Sequence, residues 1–448
     1  MMAKNERNFL ALDECGQSQL YAFWKDLNDE EKANLSAELD LVSFTTLSKS
    51  LSSALEASQH AQLVDDRLMC PSPSVIGHAL PLRETNSPLY LQYLKTGLSA
   101  INSGKAAVLL LAGGQGTRLG CSYPKGMYDI GLPSKRSLFQ LQAERLLAVC
   151  RRASGNFDKP AFIPWYIMTS DQTQQMTQAY FEEHNFFGYN REHIIFFEQF
   201  SIPVLDFNGK VLMHSRDSLC WSPEGNGGLY RALRERGILA DMASRGVEYV
   251  HIYGVDNVLT KMADPHFLGF CISKEAECGA KVVEKTMPEE SIGVVGVVDG
   301  KFRVIEYSEI SPSTAAQLLP IPSGRISWNG FPEGISDLGN APKLVSPTSP
   351  TPRLLYSLGN ICNHFMTRAF LERVCSADAD AQLVYHIARK KVPHLDFATG
   401  EMVQPTEPNA YKLEKFIFDV FPLAEYANII YFASHNLSLS LCPLSSDR

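Results

Sequence analysis

The sequence lacks the features that would direct a chain into a membrane or onto nucleic acid. No stretch reaches the roughly 18 apolar residues needed to cross a bilayer, and the first residues, MMAKNERNFLALDECGQ, contain no apolar segment of the secretory-signal kind. No block of lysine and arginine resembles a phosphate-backbone footprint, and the formal net charge is -8. We therefore expect a cytoplasmic protein that binds neither membranes nor nucleic acid.

Paired cysteines are also missing. The ten cysteines are scattered along the chain, with no CxxC motif that would close a zinc site or a redox loop. Because free cysteine is among the most buried residue types, we expect buried thiols in a reducing compartment.

What is present is the composition of a soluble chain with a large interior: 448 residues, 45% hydrophobic and 20% charged. Shifts along the chain predict a helical N-terminal segment and connector over 1–95, a catalytic domain over 96–425 and a divergent tail over 426–448. A Pro-rich stretch without periodicity at about 320–352 predicts a flexible insertion in the catalytic domain.

The N-terminal segment carries a helical pattern. Apolar residues recur at helical spacing from Gln17 to about Leu55. Asn28 followed by Glu31 predicts a capping box that opens a helix.

Strand-like and helix-like stretches alternate after Ala106. The run AAVLLLA ends in glycines, as a buried parallel strand does, and PWYIMT (164–169), IIFFEQ (194–199), YVHIYGV (249–255) and AKVVEK (280–285) are similar. Residues 138–149 carry a stripe of apolar side chains at helical spacing between the first and second of these runs. Residues 172–184 suggest another helix between the second and third. The alternation predicts an α/β fold of the Rossmann-like, doubly wound kind, with a mixed and mainly parallel sheet.

The glycine-rich loop LAGGQGTRLG (111–120) directly follows the first strand, so its main-chain N–H groups can face a phosphate or a base edge. It is neither of two common loops. GxGxxG fails because Leu119 stands where the third glycine belongs, and GxxxxGK[ST] has no match here. Hydride transfer and P-loop hydrolysis are therefore disfavoured, although such a turn can also be purely structural.

Two cations accompany the loop. Arg118 lies within it and Lys125 follows in YPKGMYDIG, so both can converge on a triphosphate. In nucleotidyl transfer the attacking group is already an anionic oxygen, and the protein must orient it and neutralise the charge that grows on the leaving pyrophosphate. We therefore take Arg118 and Lys125 as candidate catalytic residues.

These motifs resemble the eukaryotic UDP-N-acetylhexosamine pyrophosphorylase family, also called the UDP-N-acetylglucosamine diphosphorylases. LAGGQGTRLG followed by YPKGMYDIGLPS is its hallmark, and the resemblance runs from Ala106 to about Phe421. Further blocks agree, namely FEQ (197–199), SPEGNGGLYRAL (222–233), VDN (255–257), VIEYSEIS (304–311), GNICNHF (359–365) and LEKFIFDVF (413–421). The resemblance implies a nucleotidyltransferase fold of the GT-A-like kind.

The resemblance also implies site residues. The positions that match nucleotide-binding ones are Leu111, Ala112, Gly113, Gly114, Lys125, Gln199, Gly225, Asp256 and Lys415. The positions that match sugar-binding ones are Asn226, Glu306, Tyr307 and Asn360.

Chemistry supports several of these assignments. The amide of Gln199 complements the oxygen and N–H edge of uracil, and the carboxylate of Asp256, at the end of a strand, suits Mg²⁺ beside a triphosphate. Asp256 could instead cap a helix, and the EGNGG turn that holds Gly225 could be a plain turn.

The implied reaction joins UTP and N-acetylglucosamine 1-phosphate to give UDP-N-acetylglucosamine and pyrophosphate, with Mg²⁺. N-acetylgalactosamine 1-phosphate is an alternative acceptor, since one hydroxyl distinguishes the two sugars. The sequence departs from the family in the insertion and after Phe421, where the family's small C-terminal domain is expected to be missing. These departures leave a second hypothesis, a non-catalytic relative that binds a nucleotide sugar or has a regulatory role.

Overall fold

The computed structural model describes residues 9–60, 64–79, 83, 87–116, 120–155, 160–319 and 353–432. The predicted insertion at 320–352, Arg118 and the tail from 433 onward lie outside these ranges.

The helices, in chain order, are α1 Asp29–Asp40, α2 Phe44–His60, α3 Pro88–Asn102, α4 Leu138–Ser154, α5 Gln174–Glu183, α6 Leu229–Glu235, α7 Ile238–Ser244, α8 Pro265–Ser273, α9 Pro312–Ala315, α10 Arg368–Val374 and α11 Ala377–Gln382. The short 3₁₀ helices are Ser18–Tyr21, Asp65–Arg67, Pro73–Val75, Lys125–Met127, Asn185–Gly188, Arg191–His193, Asn226–Gly228 and Ile417–Leu423.

The strands, in chain order, are β1 Leu68–Met69, β2 Ile76–His78, β3 Ala106–Leu111, β4 Trp165–Thr169, β5 Ile194–Glu198, β6 Ser201–Pro203, β7 Leu205–Asp206, β8 Met213–Ser215, β9 Ser218–Leu219, β10 Trp221–Pro223, β11 Tyr249–Gly254, β12 Cys278–Glu284, β13 Val294–Val298, β14 Lys301–Ile305, β15 Leu358–Thr367, β16 His386–Lys390, β17 His394–Leu395, β18 Met402–Val403, β19 Ala410–Glu414 and β20 Ala427–Phe432.

A mixed and mainly parallel sheet forms the centre of the structure, as the sequence predicts. Its order is β2-β20-β12-β15-β11-β3-β4-β5, with β1, β13 and β14 joined beside this path. β15 is antiparallel to both β12 and β11, whereas β3 is parallel to β11 and to β4. Every strand predicted in the catalytic domain forms and takes part in this sheet.

Successive side chains of β3 enter two different cores. Ala107, Leu109 and Leu111 pack in a cluster with α6, α7 and α10, while the alternate residues pack in a cluster with α3, α4 and α8. Side chains of adjacent strand residues point to opposite faces of a sheet. Helices therefore cover both faces, which explains why the run AAVLLL is apolar without alternation.

The N-terminal helices pack away from this sheet. Leu35 of α1 and Leu47 of α2 are buried against Leu205 and Leu413, which belong to the small sheet β16-β19-β7. The predicted capping box forms, because the side chain of Asn28 accepts from the main chain of Glu31 at 3.0 Å and the carboxylate of Glu31 accepts from the Asn28 N–H at 2.8 Å.

The helical pattern that begins at Gln17 is only partly confirmed. The chain forms a 3₁₀ turn at Ser18–Tyr21 and further turns up to α1, while Leu20 and Leu27 are buried. Burial of the apolar side chains, rather than a continuous α-helix, explains the spacing in this stretch.

Both ends of the predicted insertion meet at one place. The Leu319 N–H donates to the Arg353 carbonyl at 2.8 Å, and the Leu355 N–H donates to the Gln317 carbonyl at 2.7 Å. The chain therefore enters and leaves segment 320–352 through a short antiparallel bridge.

The start of the predicted tail lies inside the sheet, since β20 pairs in parallel with β12 on one side and with β2 on the other. Within the described ranges, no helix is long and apolar enough to span a membrane, and the nine described cysteines are free thiols.

Strands β11 and β15 of the central sheet carry buried polar side chains. His251 of β11 bonds through Nε2 to Asn363 Oδ1 at 2.7 Å, and its Nδ1 accepts from the Ala263 N–H at 2.9 Å. His364 of β15 is fully buried, and neither ring nitrogen has a hydrogen-bond partner among the described residues. Burial, with a smaller contribution from His251, lowers the pKa of His364 to about 3.

We predict that the His364→Leu variant loses less stability on acidification than the wild type. The folded-state pKa of His364 is below the unfolded value of about 6.5, so between these values the unfolded chain holds the extra proton and folding weakens as pH falls. Between pH 7.5 and 5.5 the variant should lose about 1 kcal/mol less in its free energy of unfolding. Urea unfolding at both pH values measures this difference.

The matched control is His214→Leu, which removes a histidine whose side chain is exposed rather than buried. An equal loss of stability in the wild type and in His364→Leu would contradict the prediction.

Candidate active site

The carboxyl ends of four parallel strands lie at one edge of the sheet. Leu111, which ends β3, is in register with Gly254 of β11 and with Met168 of β4, and β5 runs parallel to β4. The residues that follow these strands include the glycine loop, Gln199 and Asp256. The structure thus gathers the predicted nucleotide-binding residues where α/β sheets usually bind ligands.

The glycine loop lies between two of the predicted side chains. A Cβ atom on Gly113 would come within 2.3 Å of Gln199 Nε2, and one on Gly114 would lie 3.6 Å from Lys125 Cε. The Lys125 N–H donates to the Gly114 carbonyl at 3.3 Å. Position 113 therefore admits only glycine while Gln199 keeps its place.

The PKG turn returns Lys125 to this loop. The Gly116 N–H donates to the Tyr123 carbonyl at 3.0 Å, which brings the two segments side by side. A Cβ on Gly126 would come within 2.1 Å of the Phe139 ring. The turn can rest on α4 because this residue has no side chain.

Lys125 and Asp256 form an ion pair, with Nζ and Oδ2 3.0 Å apart. The lysine side chain is 23% exposed and the aspartate side chain 63% exposed. Ion pairs this open to water contribute only about 0–1 kcal/mol, so an arriving phosphate can compete with the carboxylate for the ammonium.

Gln199 is the most enclosed of these polar groups, at 7% exposed. Its Oε1 is buried and has no hydrogen-bond partner among the described residues, while its Nε2 faces the Cα of Gly113. A buried acceptor without a donor is unfavourable by about 1–3 kcal/mol. A ligand N–H would satisfy it.

The EGNGG turn is attached to the chain around Lys415. Gly225 has φ +84°, and a Cβ there would lie 2.7 Å from the Lys415 carbonyl oxygen. The Gly227 N–H donates to that same oxygen at 2.8 Å, and Asn226 Oδ1 accepts from the Ile417 N–H at 2.8 Å. Glycine is therefore required at position 225 both by the positive φ and by the close contact.

The ammonium of Lys415 is buried. Its side chain is 6% exposed, and Nζ lies 2.6 Å from Asp380 Oδ1 and 3.2 Å from the Asp380 carbonyl oxygen. Its predicted role in phosphate binding stays a prediction, and it would require Lys415 to give up these contacts.

Two of the predicted sugar-binding residues, Asn360 and Glu306, lie against Gly293, whereas Asn226 lies in the EGNGG turn. The Asn360 N–H donates to the Gly293 carbonyl at 2.8 Å, and a Cβ on Gly293 would lie 2.9 Å from Glu306 Oε1. Burial raises the pKa of Glu306 and the nearby Glu309 raises it further. Tyr307 is adjacent in the chain and 53% exposed, so these groups can meet a ligand from solvent.

Sequence reasoning missed a histidine on this side of the site. His386 Nε2 lies 2.9 Å from Asp419 Oδ1, and its Nδ1 lies 3.9 Å from Glu309. Burial alone would lower the pKa of His386, but the hydrogen bond and charge of Asp419 together with Glu309 and Glu306 raise it overall. No motif marks this histidine, and only its contacts reveal it.

Within the described part of the chain, no group of three or more His, Cys, Asp or Glu side chains is arranged to hold a metal ion. Asp256 offers one largely exposed carboxylate. Mg²⁺ commonly binds through one or two carboxylates together with substrate phosphates and water, and a single carboxylate beside the glycine loop is compatible with that pattern.

Comparisons with known proteins identify the family of this chain. The family model for UTP–glucose-1-phosphate uridylyltransferase matches residues 47–321. UDP-N-acetylhexosamine pyrophosphorylase-like protein 1 of Xenopus tropicalis is 43% identical over 417 residues, which are 92% of this chain and 75% of that protein. The UDP-N-acetylglucosamine pyrophosphorylase of Saccharomyces cerevisiae is 42% identical over 416 residues, or 91% of this chain and 79% of that protein.

The fold of this chain is also found in a solved structure of a related protein. The crystal structure of the uridine diphosphate N-acetylglucosamine pyrophosphorylase from Trypanosoma brucei, in complex with an inhibitor, matches with a TM-score of 0.76 at 27% identity, covering 94% of this chain and 78% of that one. The chain therefore belongs to the UTP–glucose-1-phosphate uridylyltransferase family, and within it to the UDP-N-acetylhexosamine pyrophosphorylases.

Proposed function

We propose that this chain transfers a uridylyl group from UTP to N-acetylglucosamine 1-phosphate, giving UDP-N-acetylglucosamine and pyrophosphate, with N-acetylgalactosamine 1-phosphate as an alternative acceptor. The observation that carries the proposal is the exposed Lys125–Asp256 pair beside Gly114, in a chain 43% identical to a UDP-N-acetylhexosamine pyrophosphorylase-like protein over 92% of its length.

In this reaction a phosphate oxygen of the sugar phosphate attacks the α-phosphorus of UTP. A P–O bond forms there, the bond between the α-phosphorus and the bridging oxygen breaks, and the electron pair leaves with pyrophosphate. No protein base is needed, because the attacking oxygen is already an anion. The ammonium of Lys125 stabilises the negative charge that develops on the triphosphate oxygens.

The remaining residues orient the substrates. Gln199 offers an unpartnered acceptor and an amide donor to the uracil edge. Asn226, Glu306, Tyr307 and Asn360 offer donors and acceptors to the sugar hydroxyls and the N-acetyl group. Asp256 would hold Mg²⁺ next to the phosphates, and the bound ion would neutralise charge on the leaving pyrophosphate. Lys415 is proposed as a further phosphate-binding residue, and Arg118 as a second catalytic residue that stabilises the leaving pyrophosphate.

We predict that Lys125→Ala lowers kcat for pyrophosphate release by a factor of about 10²–10³, because one charge-stabilising group is lost. The measurement uses the full chain with UTP, N-acetylglucosamine 1-phosphate and Mg²⁺. Lys105→Ala is the matched control, since Lys105 also forms an exposed ion pair, with Glu248 at 2.8 Å, but precedes β3 and so lies at the opposite edge of the sheet. Wild-type turnover in Lys125→Ala would refute the role, and no release by the wild-type chain would refute the proposed function.

For the metal, we predict that Asp256→Asn raises the Mg²⁺ concentration for half-maximal activity by at least about tenfold, since loss even of a group that only supports a metal ligand commonly lowers affinity about 10–100-fold. Glu248→Gln is the control, because Glu248 precedes β11 whereas Asp256 follows it, so the two carboxylates lie at opposite ends of that strand. Titration of pyrophosphate release with Mg²⁺ measures the shift, and an unchanged midpoint would remove Asp256 from the metal site.

For the base, we predict that Gln199→Ala reduces the preference for UTP over CTP, measured as the ratio of kcat/KM values, by about tenfold or more. The reason is that the buried amide matches uracil, whereas cytosine exchanges a donor and an acceptor on the same edge. A variant with lower activity but the same ratio would show that Gln199 does not read the base.

A further inference from the structure

Buried hydroxyl groups cluster where β4 ends and α5 begins. Thr169, Ser170, Thr173 and Thr177 are all fully buried. Thr169 Oγ1 donates to the Phe197 carbonyl at 3.1 Å, whereas Thr177 Oγ1 has no partner among the described residues. None of these residues belongs to the motifs that suggested the function.

Ser170 connects this cluster to the glycine loop. Its hydroxyl donates to the Gly113 carbonyl at 2.9 Å, and its Oγ lies 3.1 Å from Thr173 Oγ1. A carbonyl oxygen can only accept, so the single proton of Ser170 goes to Gly113 and the hydroxyl of Thr173 must donate to Ser170. Thr173 Oγ1 in turn accepts from the Ser170 N–H at 3.0 Å. Each donor in this series of hydrogen bonds therefore has one defined acceptor.

This bond determines the orientation of a peptide unit in the loop. In a trans peptide the C=O and the following N–H lie in one plane and point in opposite directions. Because the Gly113 carbonyl points at Ser170, the Gly114 N–H points away from β4. Gly114 is exposed, with Lys125 on its side-chain face, so this N–H is directed at the space that a ligand would enter.

Two successive glycines need such a restraint. Glycine has access to far more backbone conformations than other residues, and a free Gly113–Gly114 peptide could rotate so that its carbonyl, rather than its N–H, faces an anionic ligand. The Gln199 amide lies against Gly113 on another side, and the Gln199 N–H is held by the Thr169 carbonyl at 3.0 Å. The segment at the end of β4 therefore supports both parts of the nucleotide site.

We propose that Ser170 is a positioning residue for nucleotide binding, which acts by holding the Gly113–Gly114 peptide with its N–H toward the uridine nucleotide. The inference rests on the proposed function for the identity of that nucleotide. Ser170 does not touch the substrate, and its effect is transmitted through the Gly113 carbonyl.

The test is the affinity of purified full-length variants for UTP, measured by calorimetry without the second substrate, together with the KM of each substrate. Ser170→Ala should weaken UTP binding and raise its KM about tenfold, the effect of one hydrogen bond, and should leave the KM for N-acetylglucosamine 1-phosphate within about twofold of wild type. Ser170→Thr, which keeps the donor, should restore most of the UTP affinity.

Thr177→Val is the matched control, because it removes another fully buried hydroxyl, from α5, that has no partner among the described residues. It should leave UTP affinity unchanged, and thermal unfolding shows whether each variant is folded. A folded Ser170→Ala chain with wild-type UTP affinity would overturn the inference while leaving the function intact. Equal increases in both KM values would also overturn it, because they would indicate a general structural effect. A wild-type chain that does not bind UTP would overturn the proposed function and this inference together.

Discussion

At the centre of the sheet, the main-chain hydrogen bonds of β3 run in parallel to β11 on one side and to β4 on the other. Parallel pairing places the carboxyl ends of neighbouring strands at a common edge, so segments that are distant in the chain come together there. Lys125 can reach Asp256 and Gly113 can contact Gln199 only because these strands end at the same level. A change in strand register would separate the glycine loop from both partners.

Solvent exposure distinguishes the two lysines that are predicted to bind phosphate. The Lys125–Asp256 pair is open to water and therefore weak, so the ammonium can leave the carboxylate for another anion at little energetic cost. The Lys415–Asp380 pair is buried, and breaking such a pair leaves a charge without compensation in the interior. The ammonium of Lys125 can therefore exchange its partner, whereas that of Lys415 is held strongly by Asp380.

Hydrogen bonds from neighbouring strands give order to a loop whose glycines have little conformational preference of their own. Gly113 must lack a side chain so that Gln199 can approach it, yet that same lack leaves its peptide free to rotate. The hydroxyl of Ser170 limits that rotation from the adjacent strand end. Gly113 therefore allows Gln199 to approach closely, and Ser170 keeps the Gly113 peptide rigid.

The sequence alone indicated five strands of the central sheet, two of the helices that separate them and the glycine loop, because hydrophobic periodicity and glycine placement are local properties of a chain. It also indicated Lys125, Gln199 and Asp256 through motifs. The tertiary structure decided which groups meet: Asp256 with Lys125, Lys415 with Asp380, and His386 with Asp419. It also placed β20, the start of the predicted tail, inside the central sheet. These facts depend on strand order and side-chain burial, which arise from contacts between distant segments and leave no pattern in the local sequence.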